Sequence, residues 1–173
     1  MVAGYTHEVD ACVAEINRLA DAGADIVRVA VPKREDTAAL PEILAQVPVP
    51  IVADVHFHYK RALEAVEAGV HKIRLNPGNI GSEERVREVV RAAQDAGIAL
   101  RIGVNSGSVE KDLLEKYGFP SAEAMVESAM RHCEMVESMG FTNYVVSLKS
   151  TDTKTVLAAN RQFAEKTDVP LHL

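Results

Sequence analysis

Short strand-like runs alternate with helix-like segments along almost the whole chain. Six such runs are rich in aliphatic residues, and each is separated from the next by a stretch with helical periodicity. The predicted strands are residues 25–31, 50–55, 72–75, 98–104, 143–148 and the final run "PLHL". Strands joined by helices need crossover connections, and such connections produce a parallel sheet covered by helices.

Helical segments fill the intervals between these runs. The first extends from Val9 to a stop at Ala22 and Gly23, and the longest is interrupted near Gly118 and Pro120. The other predicted helices are residues 36–46, 59–69, 83–96, 108–139 and 152–166. This order is typical of two folds, the doubly wound sheet and the (β/α)8 barrel.

The segment after the first strand separates these two folds. A doubly wound sheet usually carries a glycine fingerprint for a nucleotide there, whereas this chain has Val31-Pro32-Lys33-Arg34. We therefore predict an α/β fold of the TIM-type (β/α)8 barrel, in which functional side chains lie at the C-terminal ends of many strands.

Composition and charge exclude several classes of protein. The chain has 173 residues and a net charge of −6, and nucleic-acid binders need a surplus of Lys and Arg instead. No apolar run approaches the roughly 20 residues that cross a bilayer, and the first residues do not resemble a signal peptide, so the cytoplasm is the expected location. Cys12 and Cys133 lie far apart in helical segments, which favours neither a disulfide nor a metal site.

Five of the six strands have one aliphatic face and one polar face. Residues two apart in a strand share a face, so Arg74 opposes Ile73 and Leu75. The polar face of the five strands and their C-terminal ends carries Arg28, Asp54, His56, Arg74, Asn76, Arg101, Asn105, Ser147 and Lys149. In a barrel, this face points at the axis.

Three arginines and a lysine on one interior predict an anionic ligand. Unpaired buried cations cost on the order of several kcal/mol each, and Asp54 supplies only one negative charge. The planar guanidinium group suits phosphate oxygens. The turns at 76–81 and 105–108 add backbone N–H groups just before helices, where an anion is also favoured.

The stretch "HFHY" contains a possible metal or proton-transfer site. An H-x-H pair at a strand end needs further histidines at later strand ends to hold zinc, and the following strands offer Arg74 and Arg101 instead. We expect no metal ligands here. His56, beside the expected anion, is a candidate for orienting substrate or moving a proton, with Asp54 as its acidic neighbour.

Seven segments, in this order and spacing, resemble a known family. They are "GADIVRVAVP", "VADVHFHY", "IRLNPGNIG", "LRIGVNSGS", "EKYG", "ESAMRH" and "PLHL". Together they resemble the 4-hydroxy-3-methylbut-2-en-1-yl diphosphate synthases, the iron–sulfur enzymes of the non-mevalonate isoprenoid pathway. The resemblance covers nearly the whole chain from about Val9 onwards.

The resemblance implies a function for the polar face. It implies a barrel that binds 2-C-methyl-D-erythritol 2,4-cyclodiphosphate, and a second domain whose 4Fe-4S cluster opens the ring with two electrons from ferredoxin or flavodoxin. It also implies diphosphate contacts from the residues at Arg28, Arg74, Arg101, Asn105 and Lys149. A homodimer is implied for the complete enzyme.

Two features depart from the family pattern. The cluster domain is absent from this chain, and the family barrel has additional strands at both ends, so residues 1–173 are expected to hold about strands two to seven of eight. An incomplete barrel would leave two sheet edges unpaired. A phosphosugar aldolase, a relative of dihydropteroate synthase and an anion-binding module without catalysis stay open as alternatives.

Overall fold

Five parallel strands form one sheet in the computed structural model, which describes residues 1–173. The strand order in the sheet follows the chain order, so every connection is a crossover that carries a helix. The strands are β1 (Val27–Ala30), β2 (Ile51–Asp54), β3 (Lys72–Leu75), β4 (Ala99–Asn105) and β5 (Tyr144–Lys149).

Eight α-helices connect and cover these strands. The longer ones pack their apolar side against the sheet or against neighbouring helices. They are α1 (Val9–Asp21), α2 (Arg34–Leu44), α3 (Tyr59–Glu67), α4 (Pro77–Ile80), α5 (Glu83–Asp95), α6 (Lys111–Tyr117), α7 (Ala122–Glu137) and α8 (Thr153–Ala164). None of them is both long enough and apolar enough to cross a lipid bilayer.

The hydrophobic core lies between the helices and one face of the sheet. Every second strand residue contributes to it, for instance Val29, Ile73 and Val146, which are completely buried. This is the aliphatic face that the two-residue period predicts. Because the core is built on this face alone, the opposite face is left free for polar side chains.

Segments near both ends of the chain lie along the edges of the sheet. The N–H of Val2 donates to the carbonyl of Arg28 at 3.0 Å, on the side of β1 away from β2. At the other edge, Leu171 pairs with Val146 in a parallel bridge. The expectation of two unpaired edges is therefore confirmed in part: β1 and β5 are the edge strands, and other segments of the same chain satisfy only part of their exposed backbone.

The long helical stretch predicted over 108–139 is divided into α6 and α7. Gly118 ends α6 with a φ of 79°, a left-handed conformation that residues with a Cβ rarely adopt. Ser121 then caps α7 by accepting a hydrogen bond from the N–H of Ala124 at 3.2 Å. The predicted break near Gly118 and Pro120 is thus confirmed.

The turns that follow β3 and β4 are joined to each other. The Asn76 side chain accepts a hydrogen bond from the N–H of Gly78 at 3.1 Å, and its Nδ2 donates to Ser108 Oγ at 2.7 Å. Gly78 lies against the second turn so closely that a Cβ there would be 2.5 Å from the carbonyl oxygen of Ser108. The two turns therefore fix the C-terminal ends of β3 and β4 relative to each other.

Replacing Gly78 with alanine should lower the free energy of unfolding by about 1 to 3 kcal/mol, because the new methyl group would push the two turns apart. Chemical denaturation measures the change. Gly107→Ala in the neighbouring turn is the control, since a Cβ at Gly107 meets no atom within 4 Å. Equal stability of the two variants would show that the turns do not depend on this close approach.

Candidate anion-binding site

A cavity of about 690 Å³ opens on the polar face of the sheet. The strands bring eight of the nine predicted site residues to its wall, since side chains at alternate positions of parallel strands point to the same side. These residues are Arg28, Asp54, His56, Arg74, Arg101, Asn105, Ser147 and Lys149.

The strand register arranges these side chains in layers. Arg74 is the direct neighbour of Asp54 on one side and of Arg101 on the other. Further towards the strand ends, Asn105 lies beside Lys149. The guanidinium groups of Arg74 and Arg101 therefore form one layer, and the Asn105 amide and the Lys149 ammonium group form a second layer closer to the C-terminal ends of the strands.

Asp54 is the acidic side chain in the wall of the cavity, and two arginines share it. Arg74 Nη1 donates to Asp54 Oδ1 at 3.0 Å, and Arg28 Nε lies 3.4 Å from Oδ2. Only 3% of Asp54 is exposed, so removing either the carboxylate or its arginine partners would leave an unpaired buried charge. These contacts indicate that Asp54 acts as the counter-ion of Arg74 and Arg28 and orients both side chains.

Arg101 is buried beside these pairs without a carboxylate of its own. It is 6% exposed, and its Nε has no hydrogen-bond partner. Burial, followed by the charges of Arg28 and Arg74, lowers the pKa of Arg101 to about 10. At neutral pH this guanidinium stays charged, and Asp54 compensates that charge only in part, so an anion in the cavity would stabilise it.

Gly103 provides the room that Arg74 occupies. A Cβ at this position would lie 3.1 Å from both Nε and Nη2 of Arg74. The Arg74 side chain therefore extends across the sheet surface over the glycine of β4. A larger residue at Gly103 would displace the guanidinium from Asp54.

Asn76 is the one predicted site residue that does not reach the cavity. It is 1% exposed, and both ends of its side-chain amide are used within the two joined turns. The chain bends into α4 directly after Asn76, so the alternation of the strand no longer decides where this side chain points. The N–H of Gly78 in this turn donates to Asn76 rather than remaining free for an anion.

Two basic residues of the interior are not among those predicted from the sequence. Lys72 is two residues before Arg74 in β3, and burial, then the charge of Arg101, lowers its pKa. His172 lines the cavity from the segment beside β5. The same two-residue period identifies both, if it is extended to the first residue of β3 and to "PLHL".

His56 lies in the wall of the cavity, and His58 does not. His58 precedes α3 at its N-terminal cap, so the two histidines of "HFHY" do not converge on one point. No group of three or more His, Cys, Asp or Glu side chains in the chain is placed to hold a metal ion.

The two cysteines do not fit an iron–sulfur cluster. Both thiols are buried in the helical layer, Cys12 in α1 and Cys133 in α7, and burial raises the pKa of each to about 11. Cluster ligation needs several accessible thiolates at one place. Residues 1–173 therefore offer no ligand set for such a cluster.

Comparison with known families gives a match along the whole chain. A family model described as the GcpE TIM-barrel domain matches residues 1–173. The 4-hydroxy-3-methylbut-2-en-1-yl diphosphate synthase (flavodoxin) of Aquifex aeolicus is 57% identical over 173 residues, which is 100% of this chain and 48% of that protein. The protein of the same name from Rhodospirillum rubrum is 60% identical over 168 residues, or 97% of this chain and 44% of that protein. The chain spans about half the length of the curated relatives it matches.

Solved structures with a similar fold have different names. Yersinia pestis dihydropteroate synthase superposes with a TM-score of 0.70 at 14% identity, covering 97% of this chain and 66% of that one. The tryptophan synthase alpha chain of Legionella pneumophila gives a TM-score of 0.60 at 14% identity, covering 96% and 67%. At this identity the likeness shows the fold alone. The predicted TIM-type barrel, incomplete in this chain, is confirmed.

Replacing Asp54 with asparagine should lower the free energy of unfolding by about 3 kcal/mol, because Arg74 and Arg28 would lose their buried counter-ion. Added sulfate should restore part of the loss by occupying the cavity. Thermal and denaturant unfolding with and without sulfate measure both effects. The exposed Asp25, replaced in the same way, is the control and should change stability little. An Asp54→Asn variant as stable as the wild type would contradict the counter-ion role.

Proposed function

The chain belongs to the GcpE TIM-barrel domain family, and on this basis we propose that it binds the diphosphate group of 2-C-methyl-D-erythritol 2,4-cyclodiphosphate. In this proposal, residues 1–173 are the substrate-binding domain of a 4-hydroxy-3-methylbut-2-en-1-yl diphosphate synthase. Arg28, Arg74 and Arg101 would contact the phosphate oxygens from below. Asn105 and Lys149 would contact them from the layer above.

The unpaired charge of Arg101 is the observation that supports this proposal most directly. A guanidinium with 6% exposure and no carboxylate lowers the stability of the free protein, so a structural role does not explain it. A phosphate oxygen supplies the missing charge and accepts hydrogen bonds from the planar fork. Ser147, two residues before Lys149 on the same face of β5, adds a hydroxyl to this wall.

The complete enzyme needs parts that this chain does not supply. Reductive opening of the cyclodiphosphate consumes two electrons, and we assign the 4Fe-4S cluster that delivers them to residues outside 1–173. The names of the relatives specify flavodoxin as the electron donor, so we favour flavodoxin over ferredoxin. A homodimer and a cytoplasmic location stay predictions for the complete protein.

His56 and Asp54 have separable roles in this proposal. His56 lines the cavity without an acidic hydrogen-bond partner, so it is free to orient the substrate or to move a proton. Asp54 is held between two arginines and acts through them, by positioning their guanidinium groups. Asn76 likewise acts at a distance, by joining the turns that end β3 and β4.

The alternative of a Schiff-base aldolase finds no support in the position of Lys149. Such a lysine must be desolvated, so that its amine is uncharged and nucleophilic. Lys149 is exposed at the end of β5. Borohydride treatment in the presence of a phosphorylated aldehyde should label Lys149 no faster than the exposed Lys154, and mass spectrometry detects the preferential adduct at Lys149 that would contradict this.

Replacing Arg101 with methionine should have opposite effects on stability and on binding. The free energy of unfolding should rise by about 1 kcal/mol, because an uncompensated buried charge is removed. Affinity for the cyclic diphosphate, measured by calorimetry, should fall at least about tenfold, as expected for the loss of a charge-assisted contact.

The control is Arg91→Met, which removes an exposed arginine of α5 and should change neither quantity. A complete absence of binding heat with folded wild-type protein would count against the proposed function. Binding that Arg101→Met leaves unchanged would place the ligand elsewhere on the molecule.

A further inference from the structure

The backbone beside β5 directs His172 into the cavity. The N–H of Val146 donates to the carbonyl of Pro170 at 3.0 Å, and the N–H of His172 donates to the carbonyl of Val146 at 2.8 Å. These two bonds make Leu171 the residue that pairs with Val146 and packs on the core. Because neighbouring residues of an extended segment point to opposite faces, His172 faces the arginines.

The charges around His172 are mostly positive. Although His172 is exposed, partial desolvation lowers the pKa of its imidazole first, and the cations at Arg101, Lys72 and Arg28 lower it further. Every strand contributes titratable or charged groups to this interior: Arg28 from β1, Asp54 from β2 and His56 just after it, Lys72 and Arg74 from β3, Arg101 from β4 and Lys149 from β5. Asp54 is the one acidic side chain among them.

We propose that His172 is a further anion-binding residue of this cavity, neutral in the free protein and cationic when an anion is bound. This inference rests on the proposed function, because it makes anion binding at that same site depend on pH. The ring remains accessible from the cavity, so a ligand can reach it directly.

The physical reason is the change in local charge on binding. In the free protein, protonation of His172 would add one more positive charge to a group of cations that share a single carboxylate. A bound anion lowers the positive potential at the ring, which raises the pKa of the imidazole. Anion binding then takes up a proton, and by linkage the affinity rises as the pH falls.

Inorganic sulfate is a suitable probe because it does not titrate near neutral pH, so any proton taken up belongs to the protein. Titration calorimetry at pH 7, in two buffers with different ionisation enthalpies, measures the number of protons taken up per sulfate bound. The wild-type chain should take up a measurable fraction of a proton. Its affinity should change by up to about tenfold per pH unit between the pKa of His172 in the free and the bound protein.

Three variants separate His172 from the other histidines. His172→Gln should abolish the proton uptake and weaken sulfate binding at pH 6 more than at pH 8. His172→Lys should restore affinity with little difference between pH 6 and pH 8, because a lysine, whose ordinary pKa is about 10.4, stays charged over that range. His58→Gln, outside the cavity, should behave as the wild type.

Two results would overturn the assignment to His172. One is sulfate binding without proton uptake, and the other is uptake that is lost in His56→Gln but kept in His172→Gln. Neither result would contradict the proposed binding of the cyclic diphosphate. Conversely, proton-linked sulfate binding without any binding of the cyclic diphosphate would reject the proposed function and keep this inference.

Discussion

The pairing of one carboxylate with two arginines, beside a third arginine that has none, is the interaction on which the site depends. Unit charges about 5 Å apart interact by roughly 3 kcal/mol at an effective dielectric constant of about 20. Asp54 offsets part of the repulsion among the three arginines by pairing with Arg74 and Arg28, whereas Arg101 has no carboxylate partner. The free protein is therefore less stable at this point than it would be with apolar residues, and an anion removes the penalty.

The fold tolerates this penalty because its two faces have separate tasks. The aliphatic face of every strand is buried beneath helices and provides the stability of the domain. The polar face contributes little to that core, so its residues are free to follow the needs of a ligand. Asn76 and Ser108 connect the two tasks, since they are part of the folded frame and also hold the ends of the strands that carry Arg74 and Arg101.

The open side of the sheet allows segments from both ends of the chain to line the cavity. β1 and β5 do not pair with each other, and the segments that contain Val2 and Leu171 lie along their outer edges. Side chains from these segments therefore take part in the cavity wall, as Met1 and His172 do. Residues far from the arginines in sequence thus influence the same electrostatic environment.

Much of the fold and most of the candidate site follow from periodicity alone. The alternation of strands and helices determines a parallel sheet, and the two-residue period determines which side chains share the interior, because both depend only on local backbone geometry. Periodicity fails at Asn76, where the chain leaves the strand. It also does not specify how strands are aligned, and the alignment decides that Arg74 lies between Asp54 and Arg101. The sequence by itself therefore determined which charges face the axis, and only the tertiary structure decided which of them are paired, because pairing depends on distances between strands that are far apart along the chain.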